Sequence, residues 1–351
     1  MSRQPLESLD ARSRRLLRAL IAQYIQDGQP VGSRTLSKHA GIDLSPATIR
    51  NVLSDLENSG LLAAPHSSAG RVPTAQGYRL FIDSLIKIEP LNLLEIERLR
   101  EEIPESGTTQ DVLNAVGLVL SETTQFVGLV SVPNREHFGF KQIEFVPLSP
   151  TRVLVVIVFQ DGEVQNRVIE SERSLSRSEL ESASNYLNAQ FSGLALRDVR
   201  ARLVADLHQA RRSMDQIMAR AIEFAESAFA GPARADMLVA GQTKLMACNE
   251  LGDMEKLRAL FDAFAGKQQI LGLLERSIHA DGVNVFIGEE SGYSPLGDCS
   301  LVTAPYKQDG RVLGVLGVIG PTRMAYDRVI SVVAASASIL TRVLSGSERA
   351  A

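Results

Sequence analysis

Ala47, Thr48, Arg50 and Asn51 fall within five consecutive positions, and their types suit contact with a nucleic-acid surface. Arginine presents a fork that matches the guanine edge, and asparagine one that matches adenine. Threonine and the free N–H groups at a helix start hold phosphate oxygens. The stretch that carries them, SPATIRNVLSDLENSG from Ser45 to Gly60, reads as one short helix with both ends specified. Ser45 is an N-cap, Pro46 suits the first helical position, and Gly60 suits the left-handed closing residue. Ile49, Leu53 and Leu56 form one apolar stripe, which turns the polar and cationic residues to the other side. Such a helix has the form of a DNA recognition helix and points to a regulator rather than an enzyme.

The elements that must position it are legible on either side. Leu16, Leu17, Leu20, Ile21, Tyr24 and Ile25 recur at helical spacing after a cap at Ser8 or Asp10. Ser33 caps a second short helix carrying Arg34 and Lys38, and Gly41 to Leu44 make the turn before the third. After Gly60, two short apolar runs flank Pro65–Gly70, which reads as a β-hairpin wing with His66, Ser67, Ser68 and Arg71 on it. A polar loop of this kind is either a solvated tip or a phosphate and minor-groove contact, and the adjacent helix favours the second. Thr74 then opens a helix with Tyr78, Leu80, Phe81, Leu85 and Ile86 on its buried side.

Charge follows the same division. Residues 1–80 carry ten Lys and Arg against six acids, while the whole chain of 351 residues is −4. A basic head on an acidic body fits a protein whose first part alone touches phosphates, although the excess is modest. The two cysteines, Cys248 and Cys299, have no metal-type spacing and fit a reducing, cytoplasmic setting. No apolar run is expected to span a bilayer, and MSRQPLESLDARSRR has no signal-type core.

Past a linker at 89–108, a helix is expected near 109–124, then strands at 126–132, 142–146, 152–159 and 164–169. The chain then reads as mostly helical from Ser176 to about Ile278. Strands resume at 283–287, 299–305 and 312–319, with a closing helix at 325–344. The economical architecture is α+β and multidomain. It has a winged helix-turn-helix at 1–88 and an α/β domain split between 109–172 and 281–351. A mainly helical insert occupies 173–280. Within the insert Leu203, Leu207, Met214, Ile217 and Phe224 lie on a heptad-like seam that packs either in its own domain or against a second copy.

Catalytic chemistry is not legible. Gly314, Gly317 and Gly320 have the wrong spacing for a dinucleotide loop and suit close backbone contacts in a strand. Gly320-Pro321-Thr322 reads as a plain turn, and Glu289-Glu290 as a solvated acidic pair. The five histidines are scattered, so no catalytic residue, metal ligand or cofactor is assigned.

Three separated motifs resemble the HrcA family of bacterial heat-inducible transcription repressors. They are SPATIRNVLSDLENSGLL with PHSSAGRVPTAQGYRLFID, GVNVFIGEE with SLVTAPY, and GVLGVIGPTRMAYDRVISVV. The stretch GQTKLMACNELGD departs from the family pattern. The resemblance implies a winged helix, a GAF-like domain and an inserted dimerisation domain, which assigns the seam to a homodimer. It further implies binding of double-stranded DNA at the inverted-repeat CIRCE operator, modulation by the chaperonin GroEL, and release on heat stress. The expected DNA contacts are Arg34, Lys38, Ser45, Ala47, Thr48, Arg50, Asn51, His66, Ser68 and Arg71. A metabolite-responsive regulator sensing a ligand through the GAF-like domain is the alternative. A chaperone-binding or structural protein is a third class.

Overall fold

The computed structural model describes residues 9–39, 44–66, 70–104, 107–133, 138–171, 176–196, 236–248, 253–278, 282–308 and 310–347, with 174, 198–199, 202, 251 and 280 between them. The chain begins with α1 (Ala11–Asp27), capped by Asp10, whose carboxylate accepts from the Ser13 N–H at 2.7 Å. Gly28, in the left-handed region, closes it. Then come α2 (Ser33–His39) and α3 (Pro46–Asn58), with Ser45 as the cap and Gly60 at φ 74°. Leu16, Leu17, Leu20 and Ile21 of α1 pack with Leu36, Ile49, Leu53 and Leu56 in one buried cluster. Burying each such side chain contributes about 1.5–3 kcal/mol, which is what fixes three short helices in one arrangement.

The stretch expected as a wing contains a two-stranded antiparallel ribbon, β1 (Leu62–Ala63) and β2 (Val72–Pro73). Val31 bridges Arg71 on its other side with two backbone hydrogen bonds of 2.9 Å. Gly70 makes this approach possible, since a Cβ there would lie 2.5 Å from the Val31 carbonyl carbon. Next comes α4 (Ala75–Leu80), capped by Thr74, which runs into a π-helical turn at Phe81–Leu85. The stretch expected as a linker is tied down instead. It contains α5 (Leu93–Glu101), started by an Asn92/Glu95 capping box, and Leu91, Leu99 and Ile103 join the same core.

The rest of the chain gives α6 (Thr109–Thr124), β3 (Val127–Val132), β4 (Phe140–Pro147), β5 (Arg152–Phe159), β6 (Val164–Glu170) and α7 (Arg177–Phe191). After these come β7 (Asp236–Ala240), α8 (Met254–Gly266), α9 (Gln268–Arg276), β8 (Asn284–Ile287), β9 (Cys299–Gln308), β10 (Arg311–Pro321) and α10 (Tyr326–Ser347). A five-stranded antiparallel sheet has the order β7-β3-β10-β9-β8. On one face α6 and α10 share the core that also holds the first three helices; α8 and α9 cover the other.

This corrects the expected division of the strands. Only β3 of the first strand group joins the later ones. β4, β5 and β6 form a separate three-stranded sheet with α7 on one face and their own core of Phe140, Ile143, Val155, Phe159 and Leu187. β7, α8 and α9, expected in the helical insert, belong to the five-stranded unit. The chain thus leaves the five-stranded sheet after Val132 and returns to it at β7. Pairing partners are set by contacts distant in sequence, which strand periodicity does not encode. The seam residues Leu203, Leu207, Met214, Ile217 and Phe224 lie outside the described residues.

Tyr326–Ser345 is, by length and composition, apolar enough to cross a membrane, contrary to the sequence expectation. Its Val329, Val332, Val333 and Leu340 are buried in a core shared with β9 and α6, which is the environment of a central helix. The glycines of β10 are packing residues: a Cβ at Gly317 would meet the Val302 carbonyl oxygen at 2.5 Å.

Candidate nucleic-acid interface

The local sequence of α3 accounts for its two faces. Ile49, Leu53 and Leu56 are buried, whereas Ala47, Arg50 and Asn51 near the N-terminal end are exposed. The Ser45 hydroxyl accepts from the Thr48 N–H at 3.2 Å and lies 2.9 Å from the Thr48 hydroxyl, so Thr48 is half-buried against the cap. Two further exposed residues, Ser54 and Asn58, continue the Ala47 and Asn51 face at helical steps. Sequence reasoning passed over them although the same periodicity reaches them. Ser45→Ala is expected to lower stability by about 1 kcal/mol through loss of the cap, measured as a shifted denaturant midpoint.

Arg34 and Lys38 are exposed on α2 and have no ion-pair partner among the described residues. His66 is exposed on the wing, and Ser68 lies outside the described residues. Arg71 stands at the base of the wing rather than its tip. Its guanidinium meets the Glu57 carboxylate through Nε at 2.8 Å and Nη2 at 2.7 Å, with both side chains about a quarter exposed. The pair fastens the wing to α3. No helical or strand spacing joins residues 57 and 71, so no local pattern signals the pair.

The body of the protein holds this head firmly. Arg79 in α4 donates to both carboxylate oxygens of Glu290, to the Val285 carbonyl at 2.6 Å and to Asp83 at 3.3 Å. Glu290 is thus an ion-pair partner and not a solvated strand end, because the fold brings α4 beside β8. Arg323, in the turn before α10, donates to the Ile25 carbonyl at 2.7 Å, at the C-terminal end of α1. The rings of Tyr78 and Tyr326 lie 5.8 Å apart. The Tyr326 hydroxyl donates to the Thr322 carbonyl and contacts Ser300, and burial pushes its ionisation far up.

Among the described residues no three His, Cys, Asp or Glu side chains are grouped to hold a metal ion. Cys299 is buried, which pushes its thiol up to about 12, while Cys248 is half-exposed. A thiol reagent at neutral pH is therefore expected to modify one cysteine per native chain and two after denaturation. Two rapid reactions in the native state would contradict the packing around Cys299.

Comparison with known proteins bears on what this surface belongs to. Residues 110–330 match the family model "HrcA protein C terminal domain". Over 332 residues the chain is 56% identical to the heat-inducible transcription repressor HrcA of Xanthomonas campestris pv. campestris, covering 95% of each. The chain belongs to the HrcA family of heat-inducible transcription repressors. The HrcA repressor of Xylella fastidiosa (strain M23) is 52% identical over 337 residues, covering 96% of each chain. A crystal structure titled as that of a hypothetical protein superposes with a TM-score of 0.66 at 23% identity, covering 96% of this chain and 99% of that one. It shares the fold. HrcA proteins are repressors and not enzymes, so the exposed polar faces are those of a transcription regulator.

Proposed function

We propose that this chain is a dimeric, sequence-specific DNA-binding repressor of chaperonin-class heat-shock genes, acting in the cytoplasm on an inverted-repeat operator of the CIRCE type. The single observation that supports this best is α3. Its capped N-terminal end exposes Ala47, Arg50 and Asn51, beside the exposed cations Arg34 and Lys38. In this reading α3 lies in the major groove as a winged helix-turn-helix reader, Arg50 and Asn51 meet base edges, and Ser45 and Thr48 hold a phosphate. His66 and Ser68 approach the backbone from the wing. A homodimer, formed through the segment carrying Leu203 to Phe224, matches the two halves of the repeat.

Arg71 takes a positioning role, since its guanidinium is already on Glu57. Arg71→Ala is expected to weaken binding to specific and random DNA alike while leaving the salt slope unchanged. Arg34→Ala instead reduces that slope by about one. A salt titration of both variants checks the assignment, and a slope lost at Arg71 contradicts it.

Footprinting of the purified chain on the upstream regions of its own chaperonin genes tests the proposal. A protected inverted repeat is expected; uniform or absent protection contradicts it. In the same reading the chaperonin GroEL keeps the repressor competent and heat removes it from the operator. Operator titrations with and without chaperonin, before and after mild heating, test that part, and equal binding in all conditions contradicts it.

A further inference from the structure

The head meets the five-stranded unit along a cleft of about 650 Å³. One side is the flank of α1 beside its core stripe: Arg18, Ala22 and Ile25 follow one another at i, i+4 and i+7. The other side is the turn entering α10, with Arg323, Met324 and Asp327. Phe81, Lys87 and Phe126 line it as well. The size is that of a small-molecule site, and the walls are apolar with a few charges.

The charges are unequal. Arg18, Lys87 and Arg323 face the cleft against the single carboxylate of Asp327. Arg323 is engaged with the Ile25 carbonyl. Arg18 and Lys87 are exposed and have no ion-pair partner among the described residues. Two uncompensated cations beside apolar walls select an anion with an apolar body, because each half alone is also satisfied by water or by bulk salt.

We propose that this cleft binds a small organic anion, an apolar or aromatic body bearing one carboxylate, phosphate or sulfonate. The anionic group sits between Arg18 and Lys87, and the body lies against the partly exposed Ile25, Ile86 and Phe126. Because Arg18 and Ile25 belong to the head while Phe126 belongs to the body, the occupant braces the two in their present arrangement. It stabilises that arrangement by mass action and is coupled to whatever the head binds. The site does not rest on the DNA-binding reading.

The test is a fluorescence titration of the full chain with 8-anilinonaphthalene-1-sulfonate, and in parallel with the uncharged N-phenyl-1-naphthylamine. Saturation at one sulfonate per chain is expected. Arg18→Gln with Lys87→Gln should weaken the sulfonate roughly tenfold and the neutral dye less than about twofold, since only the anion loses its charge partners. Ala22→Trp, which fills the exposed α1 face of the cleft, should abolish both. Thermal melts of the variants without dye show that folding is kept, because none of the three residues is in the core. Sulfonate affinity unchanged in the charge variant, binding that survives Ala22→Trp, or titration without saturation at one site each overturns the proposal.

Discussion

Arg50→Ala is expected to weaken binding to the operator by about 1–3 kcal/mol, which is roughly fivefold to 150-fold. Arg50 sits on the exposed side of α3 with no ion-pair partner among the described residues, so its removal leaves the fold intact. Binding to random DNA is expected to fall much less, because an arginine that reads a guanine edge contributes mainly to discrimination. A gel-shift titration on operator and random duplexes separates the two effects. Wild-type affinity of the variant for the operator would remove Arg50 from the base-reading set.

Arg79→Ala is the second large effect, and it acts on the body rather than on the DNA. The side chain joins α4 to Glu290, to the Val285 carbonyl and to Asp83. Hydrogen bonds to a charged group contribute about 1.5–3 kcal/mol each when well buried. Arg79 is 31% exposed and Glu290 36%, so solvent screening brings the total to about 2 kcal/mol. Glu290 keeps its bond from the Ile287 N–H at 3.0 Å, which limits the penalty of leaving it behind. A denaturant titration should show a lower midpoint with an unchanged slope. An unchanged midpoint would mean that the bridge between α4 and β8 contributes nothing to stability.

The difference between these two arginines reflects what a sequence discloses. The exposed placement of Arg50 was legible because its helix announces itself locally: Ser45, Pro46 and Gly60 mark the ends, and Ile49, Leu53 and Leu56 mark the inner face. The three-helix order, the short two-stranded ribbon after it and most later helix and strand positions followed from the same short-range rules. Arg79 was assigned no role, because its partner Glu290 is brought to it only by the packing of α4 on β8. Glu57 and Arg71 were missed for the same reason at shorter range. Sheet membership failed most clearly. β3 and β5 have the same apolar character, yet β3 pairs with β7 and β10 while β5 pairs with β4 and β6. The short strand β7 lies inside a stretch whose pattern predicts helix. It is an edge strand whose pairing with β3 is its main support. The seam from Leu203 to Phe224 lies outside the described residues, and its place in a homodimer is what the family resemblance implies.

The most direct test of the account is a fluorescence-anisotropy titration of the full chain at fixed salt on three duplexes. They carry the intact inverted repeat, the repeat with one half-site scrambled, and random sequence. A dimer reading two half-sites through α3 should bind the intact repeat at least about a thousandfold more tightly than random DNA. Most of that preference should disappear when one half-site is scrambled. Equal affinity for all three duplexes would contradict the central claim that this head reads sequence.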